Sequence, residues 1–197
     1  MNKRSHLYVT GKILVDLPRK KRRWVLVGSI LPDILCHTYF RGHTFQSSFD
    51  MVKKTMCNLK KRGRDNWFSY LMLGYVLHYV EDYFTFVHNP IYQGDLWTHI
   101  LYEKQLEKYL RRERFSGVEQ EAFEVLSFPM ALQYVEESHR DYLRVAGTCE
   151  TDARYIYRAV QVVSNCLLLA FAANERVSKC AKHTSHYLIQ NYPKVKL

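Results

Sequence analysis

The chain has 197 residues, 29 Lys and Arg against 19 Asp and Glu, a formal net charge of +10 and 47% hydrophobic residues. That composition excludes a disordered chain, and the length suits one domain built around one core. Five cysteines (Cys36, Cys57, Cys149, Cys166 and Cys180), an odd number with no C-x-x-C pair, exclude a disulfide scaffold or a zinc ribbon and point to a reducing, cytoplasmic setting.

Taken in chain order, the apolar residues recur at helical spacing, which predicts an all-α fold of seven or eight helices in one compact multi-helix domain spanning residues 1–197. A first helix is expected over His6 to Val15, ending before Pro18, and a short second one over Trp24 to Ile30, interrupted by Pro32. Residues 36–42 read as a loop. A helix from Phe45 to Lys61 closes at Gly63, and the most apolar segment follows, Trp67 to Val87, with Pro90 biasing Asn89 away from helical geometry. Asp95 is a plausible cap for a helix from Leu96 to Arg114. Pro129 should kink or split the region from Val118 to Val145, and Thr151 to Lys182 reads as one long amphipathic helix.

Lys12 and Asp16 break the apolar stretch after the basic N-terminus, so no export signal is expected. The longest uncharged stretches, Ala159 to Asn174 and Asn66 to Val80, are short for a transmembrane segment and read as core helices. Positive charge is concentrated in Arg19 to Arg23 and in Lys53, Lys54, Lys60, Lys61, Arg62 and Arg64. It favours anionic partners such as phosphates, an acidic membrane surface or nucleic acid, or else forms a solvated basic face.

The segment GYVLHYVEDYFTFVHNP, residues 74–90, carries the chemistry. Gly74, His78 and Asp82 stand four apart on one helix face, so an imidazole and a carboxylate can share a cation, and Gly74 leaves space beside them. The helix around them is apolar almost all round, so both ionisable groups should be buried and need a partner. His88 follows where the helix ends and is free of its stripe. On the next helix His99 and Glu103 repeat the four-residue spacing, and imidazole plus carboxylate is a zinc-type ligand set. One such pair alone reads as a core hydrogen bond or a surface contact; two pairs flanking a further histidine point to metal.

These residues, preceded in order by His6 in SHLYVTGKIL, Asp33 in GSILPDI and His43 in GHTFQSSF, make the chain resemble the zinc-dependent phospholipase C family, whose relatives include single-strand-specific fungal nucleases. His37 competes with His43 for its place. The resemblance implies that Asp33, His43, His78 and Asp82 hold one zinc, that His88, His99 and Glu103 hold a second, and that Asp82 bridges to a third completed by His6 and the Met1 amine. Three Zn²⁺ would set six positive charges against three carboxylates, a surplus that attracts an anionic phosphate ester, and even two ions leave one. Paired ions of this kind activate water and steady the attacking and leaving oxygens at phosphorus. Asp33 is also the candidate to orient or deprotonate that water.

Other features read lower. Glu136-x-x-His139 has the spacing of di-iron bundles, but only one copy is present and a surface position is expected for His139. His183 and His186 with Cys180 are expected to be solvated near a polar C-terminus. H-E-x-x-H, a Walker loop and G-x-S-x-G are absent. Tyrosines 75, 79, 83, 92 and 102 flank the metal segment as core, as rim, or as the lining of a headgroup or base pocket. The expected function is a zinc phosphodiesterase of phospholipase C type acting on a phospholipid. The alternatives are a nuclease or nucleotide phosphatase on the same metal site, or a non-catalytic helical module in which the metal is structural.

Overall fold

Seven α-helices and one 3-10 turn, with no strand, make up the described residues of the computed structural model, which are 1–35, 43–112 and 127–191. The helices are α1 (Lys3–Ile13), α2 (Arg19–Ile34), α3 (Phe45–Arg62), α4 (Trp67–Tyr83), α5 (Leu96–Arg112), α6 (Phe128–Val145) and α7 (Cys149–Asn191); the 3-10 turn is Phe86–His88. This is the all-α architecture read from the periodicity.

Helix starts follow side-chain caps. Asn2 Oδ1 accepts from Ser5 N at 3.0 Å and begins α1 three residues before His6. Thr44 caps α3 through Ser47 N, Asn66 caps α4 through Ser69 N, and Asp95 caps α5 as expected, accepting from Thr98 N at 2.8 Å. In α6, Pro129 sits in the first turn, where a missing N–H costs nothing, so it starts the described helix instead of kinking it. The remainder of that expected helix, 118–126, lies outside the described residues, as do the expected loop 36–42 with His37 and Cys36, and positions 113 and 114.

α2 departs most from expectation. It begins at Arg19, so the five basic residues form its first turns, against the preference of a helix N-terminus for negative charge. Lys21 pairs with Asp65 at 2.8 Å, Arg22 Nη1 donates to Val15 O, and Val25 is buried. At its other end the helix runs through Pro32, and Leu35 N still bonds Leu31 O at 3.1 Å. Packing against α4 outweighs the lost backbone bond, and the turn beyond the proline carries Asp33.

α4 is the central helix, packed against α2, α3 and α7. Its Leu73, Val76, Leu77 and Val80 share one buried cluster with Ile156, Val160, Val163 and Leu167 of α7, each wholly buried, and every such side chain contributes about 1.5–3 kcal/mol. The α2–α4 crossing is very close. A Cβ on Gly28 would meet Leu71 O at 2.0 Å, and one on Gly74 would meet Val25 O at 2.0 Å and Ser29 N at 2.8 Å. The space beside Gly74 is therefore filled by the backbone of α2.

α4 ends at Tyr83, not at Val87. Asn89 Nδ2 donates to Tyr83 O and Thr85 O, and the side chain of Asp152 takes Phe86 N at 2.9 Å, which starts the separate 3-10 turn. α7 extends beyond the expected Thr151 to Lys182 at both ends. Its stretch Cys149–Lys179 is long and apolar enough to cross a membrane by length and composition, contrary to the shorter uncharged run counted in the sequence, and 56% of its most apolar window is buried inside the domain. The side chains of Cys180, His183 and His186 lie outside the described residues.

Candidate metal centre

α4 presents His78 and Asp82 one turn apart, both fully buried, at the end of the crossing with α2. His78 Nδ1 lies 2.9 Å from Ser29 O on α2, so Nδ1 carries the proton and donates, leaving the Nε2 lone pair free to face the centre. That Nε2 is 3.2 Å from His43 Nδ1, 3.3 Å from Asp82 Oδ2 and 3.8 Å from Asp33 Oδ1. His43, just before α3, also reaches Asp82 Oδ2 at 2.9 Å.

α1 brings His6 to the other side of Asp82. Its Nδ1 is hydrogen-bonded to Glu81, whose second oxygen accepts from Thr10 Oγ1 at 2.8 Å. Its Nε2 points at Asp82 Oδ1 from 3.4 Å and has no hydrogen-bond partner, although the atom is buried. A buried, unprotonated imidazole nitrogen without a donor facing a carboxylate is what a cation between them would satisfy. The Met1 amine completes this side, 2.5 Å from Asp82 Oδ1 and 2.8 Å from His88 Nε2.

The 3-10 turn lifts His88 toward α5, where its Nε2 lies 3.1 Å from Glu103 Oε1, and His99 Nε2 lies 3.4 Å from the same oxygen. Four groups of side chains present ligand atoms within 4.8 Å of one another: His6, His78 and Asp82; Asp33, His43 and His78; His43, Asp82 and His88; and His88, His99 and Glu103. All nine residues singled out in the sequence, Met1 included, thus converge. The third group, joining His43 to His88 across Asp82, makes the cluster continuous.

Charge in the cluster is arranged around Asp82. Burial opposes its ionisation, but His88, the Met1 amine, His78 and His6 around it hold its carboxyl well below the usual range. Burial likewise opposes ionisation of Glu103, and bonds from His88 and His99 bring its pKa down. Burial lowers the pKa of His6 and of His88, which favours the neutral form of each ring that can ligate, while Asp82 pulls the other way. His43 goes the other way: the bond to Asp82 outweighs burial and raises it. Burial pushes Asp33 up, and Glu81 well up.

Sequence reasoning missed two carboxylates. Glu81, wholly buried, fixes the ring of His6; its signal was a second acid beside Asp82 on an apolar helix. Asp152, also wholly buried, accepts from Phe86 N, Tyr102 OH at 2.9 Å and Tyr142 OH at 2.7 Å, and so anchors the turn bearing His88 and the helix bearing Glu103. His139 is a correction. It is buried at 2% exposure, stacked on Phe45, with Nε2 2.9 Å from Asn89 Oδ1, because it continues the buried stripe Ala131, Val135, Tyr142 of α6; Glu136 is the half-buried member of the pair and lies 3.7 Å from Lys53. The flanking tyrosines turn mostly inward: Tyr83 bonds Ser48, Tyr79 lies beside Tyr75, and Tyr92 bonds Thr98.

A cleft of about 1230 Å³ opens over the cluster. Met1, Asp33, His43, His88, His99 and Glu103 line it, with apolar Ile34, Leu35 and Leu96 and basic Lys3, Arg4 and Lys104 beside them. Compared with known families, residues 5–149, about three quarters of the chain, match the model of the zinc-dependent phospholipase C family. The chain belongs to that family. Neither the curated proteins nor the solved structures yield a match. For a zinc-dependent phospholipase C family member, the orphaned His6 nitrogen and the converging imidazoles and carboxylates are a donor set that fits zinc.

Proposed function

We propose that the chain is a zinc-dependent phosphoric ester hydrolase of phospholipase C type, cleaving the glycerol-side P–O bond of a phospholipid to leave diacylglycerol and a phosphorylated headgroup. The observation that carries this reading is the cleft, whose floor is the imidazole–carboxylate cluster and whose described walls are apolar and basic. Asp33, His43, His78 and Asp82 would hold one zinc, His88, His99 and Glu103 a second, and Met1, His6 and Asp82 a third. Bound there, zinc supplies Lewis-acid charge for water activation and for the anionic transition state. Asp33, 18% exposed in the cleft and with a pKa raised by burial, would orient a water or take its proton. Lys3, Arg4 and Lys104 attract the phosphodiester, while Ile34, Leu35 and Leu96 receive the glycerol and the first acyl carbons.

A second reading, a nuclease or nucleotide phosphatase on the same metal site, has one observation in its favour. A smaller pocket of about 580 Å³ on the other side of His88 and His99 contains Tyr92, a ring on which a base could stack. A cytosolic location belongs to the same proposal and rests on the free thiols of Cys57, Cys149 and Cys166.

Elemental analysis of untagged protein purified without chelators tests the metal. Two or three zinc per chain are expected, falling in His78→Ala and Glu103→Ala. Phosphatidylcholine, bis-nitrophenyl phosphate, nitrophenyl phosphate and single-stranded DNA then separate the activities. Turnover of the lipid supports the first reading, turnover of DNA alone supports the second, and full zinc with no turnover of any of them makes the metal structural. An N-terminal extension that leaves stoichiometry and activity unchanged removes Met1 from the ligand set.

A further inference from the structure

The N-terminal half of α5 exposes a patch of large apolar side chains at the mouth of the cleft. Leu96 is 74% and Trp97 65% exposed, and Ile100 and Leu101 are also exposed. Leu96 itself lines the cleft, one turn before His99 and two before Glu103. Farther along the same helix the surface becomes basic. Trp97, Leu101, Lys104 and Lys108 follow one another at spacings of four, three and four, so they share one face, with Lys3 and Arg4 of α1 across the opening. The acids nearby are otherwise engaged: Glu107 is bonded to Arg111 and Asn2, Glu103 turns into the cluster, and Asp95 caps the helix.

We propose that this face of α5 docks on an anionic lipid bilayer, with Trp97 and Leu101 entering the headgroup–acyl boundary and Lys104 and Lys108 lying against the charged headgroups. An exposed tryptophan with aliphatic neighbours on one helical face, continued by lysines, is the chemistry of an interfacial helix. The lysines are complementary to an acidic surface. A soluble phosphate ester needs no such face, whereas a lipid must be drawn part-way from its bilayer into the cleft, and Leu96 joins the docking patch to the site. The inference rests on the phospholipid reading for its purpose, but binding can be measured without turnover.

The test uses the full chain with its zinc and vesicles of phosphatidylcholine with and without phosphatidylserine. Partitioning is measured by cosedimentation, and Trp97 emission in a W24F/W67F background reports its surroundings. Neither Trp97 nor Leu101 lines the cleft, so W97S/L101S should keep turnover of monomeric dihexanoyl-phosphatidylcholine within about twofold while vesicle partitioning falls at least about tenfold, a factor worth 1.4 kcal/mol. K108E should weaken binding only where phosphatidylserine is present. A blue shift of Trp97 on vesicle binding supports the docking face. Unchanged partitioning of W97S/L101S, an unshifted Trp97 in the bound state, or a self-associated protein that this variant renders monomeric would each overturn it. If wild-type protein partitions but hydrolyses neither lipid form, the docking face stands and the phospholipase reading falls.

Discussion

Gly74→Ala gives the sharpest test of how the fold sets the metal centre. The added methyl would lie 2.0 Å from Val25 O and 2.8 Å from Ser29 N, both backbone atoms of α2 that no rotamer can move. Reaching an ordinary contact of 3.4 Å requires α2 to retreat by about 1.4 Å, several times the roughly 0.2 Å within which metal–ligand distances are set. α2 carries the Ser29 carbonyl that orients His78, and Asp33, so the retreat acts on two points of the cluster at once. Overpacking of this kind costs about 1–3 kcal/mol. For a domain of this size that lowers Tm by about 2–12 °C. Differential scanning calorimetry and zinc analysis on the same preparation read both effects. A variant that keeps its Tm within a degree and its full zinc content would refute the close crossing as the device that positions His78 and Asp33.

Three further outcomes are expected. Glu81→Ala leaves the His6 ring and the Thr10 hydroxyl without their buried partner, and should weaken one zinc by about 10- to 100-fold in a competition titration against a chromophoric chelator; unaltered affinity would show that Glu81 does not position His6. Asp152 is pushed up to about 6 by burial, against the three donors that face it, so its protonated form is favoured by the fold; its contribution is complete below the ordinary carboxylate range and is lost as pH rises to about 6. Thermal unfolding of Asp152→Asn across pH 4 to 6 should lack the wild-type component of that slope, and parallel curves would contradict the assignment. His139 moves the opposite way. Burial brings it down to about 4, so the neutral ring stabilises the fold fully above its ordinary pKa and that stability is lost as pH falls through 4. Its ring proton should titrate near pH 4 by NMR, and a midpoint near 6.5 would place the ring in water.

The helical class and the His78–Asp82 and His99–Glu103 pairs were legible because local spacing carries them: four residues on one helix is a contact whatever the rest of the chain does. His6, Asp33 and His43 were legible only through the ordered resemblance, since their neighbours lie tens of residues away. Glu81 and Asp152 were not read because their partners are 75 and 66 residues distant, and a second acid on an apolar helix marks Glu81 as needing a partner without naming His6. His139 was within reach, as the stripe Ala131, Val135, Tyr142 places it on the buried face, but its three-residue spacing from Glu136 mimics a metal motif. The ends of α2 were misjudged because propensity and the helix dipole speak against both, and tertiary packing decides otherwise.

The bonds that Asp152 receives make the carboxy-terminal part of the chain structurally necessary to a centre to which its described residues give no ligand. The family match closes at Cys149, three residues short of this carboxylate. A fragment trimmed to the matched boundary would retain every proposed ligand from His6 to Glu103 yet strand the hydroxyls of Tyr102 and Tyr142 and the amide of Phe86. The anchorage of His88 and Glu103, and with it the smallest piece of this protein that can be expected to work, therefore extends into α7.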